Sequence, residues 1–257
     1  MKGVKVGDRV CGFVANGAYT QKLVCDEKVL VLIPEEMSFD EAAGFLMTYA
    51  TAYFTLKERA NVKKGETVLV HAAAGGVGSA TVQIAKALGA NVIGTVGSKD
   101  KVKIAKSLGC DEVVVYNNKT WPAQVLQLTK NKGVEIVCDS VGGDAFHGSL
   151  KCIAWGGRLC IVGFASGDIP KLSTNLVLLK NISLVGVFFG SYQKYDPSKI
   201  ADCFAALFKL FAEKKVKPLI GGVFSFNQVV EALTCLENRT SVGKIIIHPQ
   251  ECRKSSL

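Results

Sequence analysis

The stretch TVLVHAAAGGVGSATVQIAKALGANVIGTVGSKDK, Thr67 to Lys101, decides the fold. Its apolar run Thr67–Val70 ends in a glycine turn, an amphipathic segment follows, and a second apolar run spans Asn91–Val96. That order predicts strand, turn, helix, strand. Within it, Ala73-x-Gly75-x-x-Gly78 has the spacing of the dinucleotide fingerprint, with alanine in place of the first glycine. Gly75 lets backbone N–H groups approach a pyrophosphate, and Gly78 lets the helix pack close to the sheet. The helix N-terminus adds positive potential.

Downstream, the alternation continues. A helix over Val77–Leu88 places Val77, Ala80, Ile84, Ala85 and Leu88 on one face. Strand Asn91–Val96, helix Lys99–Leu108, strand Glu112–Val115 and a helix near Pro122–Thr129 come next. Strand Val134–Asp139, a helix near Ala145–Ile153, strand Arg158–Val162 and strand Ile182–Val187 complete the set. Six strands joined by crossovers predict an α/β fold with a doubly wound parallel sheet, ordered 3-2-1-4-5-6.

Upstream, residues 1–34 alternate short apolar runs with glycines, a turn-rich β pattern that is too short for an independent barrel. Ser38 and Glu41 form a capping box that opens a helical region to about Leu56, and Asn61–Gly65 is the polar turn that follows. Beyond the sheet, a long helix carries Ile200, Phe204, Leu207, Phe208 and Phe211 on one face. A β-type return after Pro218, a helix Ser225–Glu237 capped by Ser225 and Gln228, and strand Lys244–Ile247 close the chain. The two ends are expected to form one β-rich lobe beside the sheet.

Composition narrows the class. In 257 residues, 49% hydrophobic content and 26 glycines fit globular α/β structure. No apolar run reaches the ~18–20 residues of a membrane span. The start MKGVKVGDRV lacks a signal-peptide core. Nine cysteines lie without Cys-x-x-Cys pairing, which suits a reduced, intracellular compartment. His71, His147 and His248 stand away from any cysteine at zinc-ligand spacing, so no metal site is expected. The net charge of +9 is spread over surface helices rather than gathered with aromatics, which argues against nucleic acid as partner. The tail Arg253-Lys254-Ser255-Ser256-Leu257 departs from the peroxisomal Ser-Lys-Leu address at Ser256, and a cytoplasmic location is expected instead.

Cofactor choice is read at the end of the second strand, roughly 20 residues past the fingerprint, where an acid would hold the ribose 2′-hydroxyl of NAD. The chain there reads Gly97-Ser98-Lys99-Asp100-Lys101, with no acid at the strand end itself. Ser98 and Lys101 would attract a 2′-phosphate, so NADPH is favoured. The plainer alternative is that Lys99, Lys101 and Lys103 form a solvated helix face.

Gly7-Asp8-Arg9-Val10, Thr48-Tyr49-Ala50-Thr51-Ala52-Tyr53, Ala72-Ala73-Ala74-Gly75-Gly76-Val77-Gly78, Ile93–Ser98, Asp139-Ser140-Val141-Gly142-Gly143 and Gly243-Lys244 together carry a resemblance. The chain resembles the medium-chain dehydrogenases/reductases, in the zinc-free, zeta-crystallin-like quinone oxidoreductase group. The resemblance implies three regions: residues 1–58 as the remainder of an N-terminal catalytic (GroES-like) lobe and linking helix, 59–195 as the NADPH-binding Rossmann domain, and 196–257 as a connecting helix returning to the lobe.

It further implies that Gly75, Gly76 and Val77 face the pyrophosphate, while Gly97, Ser98, Lys101 and Tyr116 hold the 2′-phosphate end. Thr51 would lie near the nicotinamide, Gly163-Phe164 and Val187-Phe188 would line its pocket, and Arg239 would reach the cofactor. Tyr116 reads equally well as a half-buried aromatic at a strand end, and Asp139 reads better as a structural acceptor. Zinc-dependent relatives carry a cysteine ligand in the segment matching 38–56 and a four-cysteine lobe; this chain carries neither.

The implied activity is zinc-independent hydride transfer from NADPH to a small quinone or conjugated carbonyl compound, by a homodimer pairing through the edge strand Ile182–Val187. The alternatives are an enoyl-thioester or alkenone reductase, and a non-catalytic, crystallin-like NADPH binder; an RNA-binding role is the weakest. Family members carry a substantial β-rich segment before the Gly-Asp-Arg-Val turn, whereas this chain begins almost at it. Part of the substrate lobe is therefore expected to be missing, and apolar positions in residues 1–56 are expected to be exposed. If the missing segment held a targeting signal, the location would be mitochondrial instead.

Overall fold

In the front segment of the chain, backbone is held in place by one side chain more than by a sheet. The Arg9 guanidinium donates to the carbonyls of Pro34, Glu35 and Met37 and lies 4.8 Å from the centre of the Phe39 ring. It gathers the end of a small antiparallel pair, β1 (Val10–Gly12) and β2 (Leu30–Leu32). The computed structural model describes residues 3–116 and 119–249, so the Arg253–Leu257 tail lies outside the described residues.

The chain divides into two compact units, residues 1–47 with 218–257 and residues 48–217. Helix α1 (Phe39–Tyr53) starts in the first, where the Ser38 hydroxyl accepts from Glu41 N–H and the Glu41 carboxylate accepts from Ser38 N–H. The helical path continues as a π-helical turn over Phe54–Arg59, further than the sequence pattern indicates.

The larger unit is built on a six-stranded parallel sheet. Its strands are β3 (Thr67–Val70), β4 (Asn91–Val96), β5 (Glu112–Val115), β6 (Val134–Asp139), β7 (Ile153–Ile161) and β8 (Ser183–Gly186). Their order is β5-β4-β3-β6-β7-β8, which is 3-2-1-4-5-6 in strand sequence, as the alternation predicts. Val68, Leu69 and Val70 are almost wholly buried because β3 is covered on both faces, which is why its sequence is an unbroken apolar run. The crossovers are α2 (Gly76–Ala87), α3 (Asp100–Ser107), α4 (Trp121–Leu128), α5 (Gly143–Cys152) and α6 (Thr174–Lys180). Sequence patterning named no helix at α6, whose residues include none that are fully buried. The helices α7 (Tyr192–Tyr195) and α8 (Pro197–Ala212) follow, and α8 turns Cys203, Phe204 and Leu207 inward.

On one face of the sheet Leu69, Ile93, Val114, Val137 and Leu159 pack with Trp121 and Val125 of α4 and Phe146 and Leu150 of α5. The fit between α4 and α5 depends on Gly148: a Cβ there would stand 2.2 Å from the Trp121 ring.

In the smaller unit, β9 (Ile220–Ser225) and β10 (Lys244–His248) pair in parallel, with α9 (Val229–Glu237) between them. A short 3-10 turn, Phe226–Gln228, precedes α9, and the Ser225/Gln228 capping box closes on that turn. Gly243 has φ 55°, and a Cβ on it would stand 2.0 Å from the Leu219 carbonyl, so the β9–β10 crossing needs glycine there. Several apolar side chains of the front segment are exposed, Val6, Phe13, Tyr19, Leu23 and Val24 among them, as the sequence leads one to expect.

Gly148→Ala is expected to destabilise the protein by about 1–3 kcal/mol, the usual cost of overpacking a filled core. Urea unfolding followed by tryptophan fluorescence measures it, and an unchanged midpoint would contradict the packing of α5 on Trp121.

Candidate functional site

The turn leaving β3 is organised around Ala72. Its φ of 50° lies in the left-handed region, unusual for a residue with a side chain. Its carbonyl accepts from Gly75 N–H at 2.8 Å, closing the turn. A Cβ at Gly78 would stand 2.0 Å from that same carbonyl oxygen, so the first turn of α2 passes the strand end at a distance only glycine permits. Ala73 N–H donates to Thr95 O, tying the turn to β4. Gly75 caps α2 with extended backbone. The N–H groups of Gly76, Val77 and Gly78 have no helical carbonyl before them and form the positive end of the helix. The arrangement suits an anionic group of the size of a pyrophosphate.

The other strands end at the same edge of the sheet, the carboxyl edge where doubly wound proteins bind ligands. After β4, Gly97 is exposed, with nothing near the position of a Cβ. Ser98 directs its hydroxyl to the carboxylate of Asp100, which lowers that acid's pKa. Lys101 lies beside it in the first turn of α3, half-buried. After β6, Asp139 accepts from the N–H groups of Val141 and Gly142 through one oxygen, at 2.8 and 2.9 Å. It is therefore a backbone acceptor that shapes its loop, the role its strand-end position suggests.

After β7, Gly163 and Phe164 lead into a segment that folds back on the Asp139 loop, with Ala165 N–H on Ser140 O and Ser166 N–H on Val141 O. After β8, Val187 is buried and bonded to Ile161 O, while Phe188 is exposed. Thr51, half-buried in α1, accepts from the Thr55 hydroxyl through its carbonyl. Gly75, Gly76, Val77, Gly97, Ser98, Lys101, Tyr116, Gly163, Phe164, Val187, Phe188 and Thr51 thus all belong to the larger unit. Arg239 belongs to the smaller one, just past α9, with φ 57°.

A group that sequence patterning did not single out lies under the turn. His71, fully buried, follows Val70 on the face that carries Leu69. Its Nδ1 meets the Thr95 hydroxyl at 3.0 Å and the Tyr116 hydroxyl, and its Nε2 meets the Ser149 hydroxyl at 2.7 Å. Trp121 closes the group edge-on, 5.3 Å from the His71 ring and 5.5 Å from Tyr116. These polar side chains stand one pair of residues beyond Leu69, Ile93 and Val114, and cap the apolar layer. The only signal in the sequence is a histidine continuing the period-two face of a strand, which is an ordinary core pattern.

Burial drives the His71 pKa down to about 4, against the Asp139 charge, which raises it; the ring is neutral at physiological pH. Burial likewise raises the pKa of the Tyr116 phenol, which stays protonated.

Fold and turn together define a doubly wound, dinucleotide-binding α/β protein. Residues 76–206 match the family model described as zinc-binding dehydrogenase. The quinone oxidoreductase-like protein 2 homolog of Nematostella vectensis is 38% identical over 248 residues, covering 95% of this chain and 68% of that protein. The quinone oxidoreductase of Pseudomonas aeruginosa is 34% identical over 247 residues, covering 95% and 76%. Among solved structures, a mycobacterial protein complexed with NADPH superposes with a TM-score of 0.89 at 32% identity, covering 95% of this chain and 75% of that one. The chain belongs to the zinc-binding dehydrogenase family, as a quinone oxidoreductase-type member of the medium-chain dehydrogenases/reductases. Among the described residues, no three His, Cys, Asp or Glu side chains gather as metal ligands would.

The His71 shift sets a pH dependence. Its neutral form is preferred in the fold, so this contribution is complete above about pH 6.5 and falls away as the pH drops toward about 4. The loss should approach 3 kcal/mol, at about 1.36 kcal/mol per pKa unit. Facing the imidazole are Asp139, Tyr116, Thr95 and Ser149, of which only Asp139 carries charge. Urea midpoints measured from pH 7 to 4 should fall in the wild type and fall less in His71→Asn; parallel slopes would contradict the assignment.

Proposed function

We propose that the protein is an NADPH-dependent oxidoreductase that reduces quinones or related conjugated carbonyl compounds without a metal. The observation that carries this reading is the Ala72–Gly78 turn, with the first N–H groups of α2 beside the end of β4, where Val96 and the following Gly97 carry no acid. The relatives' names and the NADPH held by a structural neighbour support the cofactor and the substrate class. NADPH supplies the hydride; the chain's residues bind it and orient it.

On this reading Gly76 and Val77 offer backbone N–H groups to the pyrophosphate, and Gly97 leaves room for the ribose. Ser98 and Lys101 hold the 2′-phosphate, which requires the Ser98 hydroxyl to turn from the Asp100 carboxylate. Thr51 lies on the nicotinamide side, with Gly163-Phe164 and Val187-Phe188 as the pocket wall. A quinone or enone oxygen takes its proton from solvent, so no acid–base pair is needed. The reduction of an enoyl thioester uses the same cofactor arrangement and is the second reading.

The pair of variants Lys101→Ala and Asp100→Asn separates NADPH from NADH. Lys101→Ala should weaken NADPH about tenfold and leave NADH nearly unchanged, since a charge-assisted phosphate contact is lost. Asp100→Asn should tighten NADPH about threefold, since removing a screened surface charge of like sign has a modest effect. Nucleotide fluorescence titration measures both, and equal affinity of the wild type for NADPH and NADH would sink the 2′-phosphate assignment. Turnover of a quinone, enone and enoyl-thioester panel then distinguishes the readings; tight NADPH binding with no oxidation by any member leaves a nucleotide-binding protein.

We further propose a homodimer built on β8. This strand ends the sheet order, with Leu178 and Leu179 before it, Leu184 in it and Phe188 after it all exposed. Arg59 Nε occupies the carbonyl of Gly186 at 3.0 Å, so the open part of the edge is Ser183–Val185. Sedimentation at micromolar concentration should give a dimer, and Leu184→Lys a monomer; a wild-type monomer would remove this proposal.

A further inference from the structure

The loop that leaves β6 is gathered by one carboxylate oxygen. Asp139, 2% exposed, accepts through Oδ1 from Val141 N–H at 2.8 Å and from Gly142 N–H at 2.9 Å. In a trans peptide unit the N–H and the carbonyl lie in one plane and point opposite ways. Holding the Val141 and Gly142 N–H groups therefore aims the carbonyls of the same two peptide units, those of Ser140 and Val141, away from Asp139. These are the carbonyls that seat the segment after β7: Ser140 O accepts from Ala165 N–H at 3.0 Å, and Val141 O from Ser166 N–H at 2.9 Å.

The same segment is fastened at both ends. The Asp139 carbonyl accepts from Val162 N–H at 2.8 Å and from Gly163 N–H at 3.3 Å, and the Asp168 carbonyl accepts from Gly143 N–H at 3.2 Å. Between these points Gly167 N–H bonds to Phe164 O at 2.9 Å and closes a turn that starts at Phe164. The Phe164 ring rests on the first loop: a Cβ at Gly142, whose φ is 75°, would stand 3.0 Å from Phe164 Cδ1 and 2.7 Å from Asp168 O. We infer that Asp139 is a positioning residue for the Gly163–Phe164 wall: its carboxylate aims the two peptide units that seat Ala165 and Ser166, and so sets where the Phe164 ring stands. None of these bonds reaches the Ala72–Gly78 turn. Placement of the nicotinamide end and affinity for the nucleotide should therefore separate.

Amide hydrogen exchange in the cofactor-free protein tests the linkage of the two loops. In the wild type under mild denaturant, the amides of Val141, Gly142, Ala165 and Ser166 should open as one unit, below the opening free energy of Ile93 in β4. Separate openings for the two pairs would overturn the linkage, and this measurement needs no variant. In Asp139→Ala, Val141 and Gly142 should exchange at least about tenfold faster, since each loses a bond to a charged acceptor. Ala165 and Ser166 should follow by at least about fivefold, with Ile93 unchanged as the control for global stability. Faster exchange confined to Val141 and Gly142 would leave Asp139 shaping its own loop alone. Asp139→Asn keeps an oxygen acceptor and should retain most of the protection at all four amides; equal loss in the two variants would contradict the assignment.

The kinetic consequence rests on the oxidoreductase reading above. In Asp139→Ala the NADPH dissociation constant should stay within about twofold of the wild type, as for sites that share no partners. With a quinone or enone that the wild type reduces, kcat should fall about tenfold or more, because the reacting ring is no longer held in place. A weakened affinity with unchanged kcat would overturn the positioning role. A wild type that turns over no member of the panel would remove the oxidoreductase reading, while the exchange measurements would still decide the role of Asp139.

Discussion

Everything at the site depends on one close approach, that of the first turn of α2 to the carbonyl of Ala72. A methyl group at position 78 would put carbon 2.0 Å from that oxygen, well inside contact distance. The helix can therefore start directly above the strand end only because Gly78 has no side chain, and Ala72 must turn into left-handed backbone to present its carbonyl there. From this follow the direction of α2 and the placement of its first N–H groups at the carboxyl edge of the sheet. The alanine at position 73, where the fingerprint has glycine, fits because it is buried against Gly94, which has no Cβ to collide with it.

The strand ends around this turn are kept in place by polar groups with assigned tasks. Asp139 takes two backbone N–H groups, so its loop is fixed and its charge is satisfied at the end of β6. His71 connects β3, β4, β5 and α5 through three hydroxyls. A polar layer of this kind between an apolar core and a binding edge costs little only if every member is paired, and no buried side-chain nitrogen or oxygen among the described residues lacks a partner. Ser98 is the exception in kind, since its hydroxyl is held by an exposed carboxylate.

Most of the larger unit was legible in the chain itself. Strands β3, β4, β5 and β6 coincide with their apolar runs, and the helices from α2 to α5 differ from the expected spans by one or two residues at an end. The reason is local: parallel strands covered on both faces are continuous aliphatic runs, and amphipathic crossovers announce themselves by period. β7 starts five residues earlier than its pattern, because Trp155, Gly156 and Gly157 do not read as strand. Helix α6 has no buried residue to create a periodic signal. At the site, the glycines and the absence of an acid after β4 could be read directly. The engagement of Ser98 with Asp100 and of Tyr116 with His71 could not, since these contacts depend on side-chain direction.

The sequence by itself determined the class of fold, the order of the strands and the position of the glycine turn, because spacing, periodicity and glycine placement act over a few residues. Only the tertiary structure decided what lies beneath that turn. His71, Thr95, Tyr116 and Ser149 come from four separate elements, and nothing in their spacing links them. They meet because sheet register aligns three strand ends and Gly148 lets α5 settle against Trp121, and a hydrogen bond acts only at contact distance.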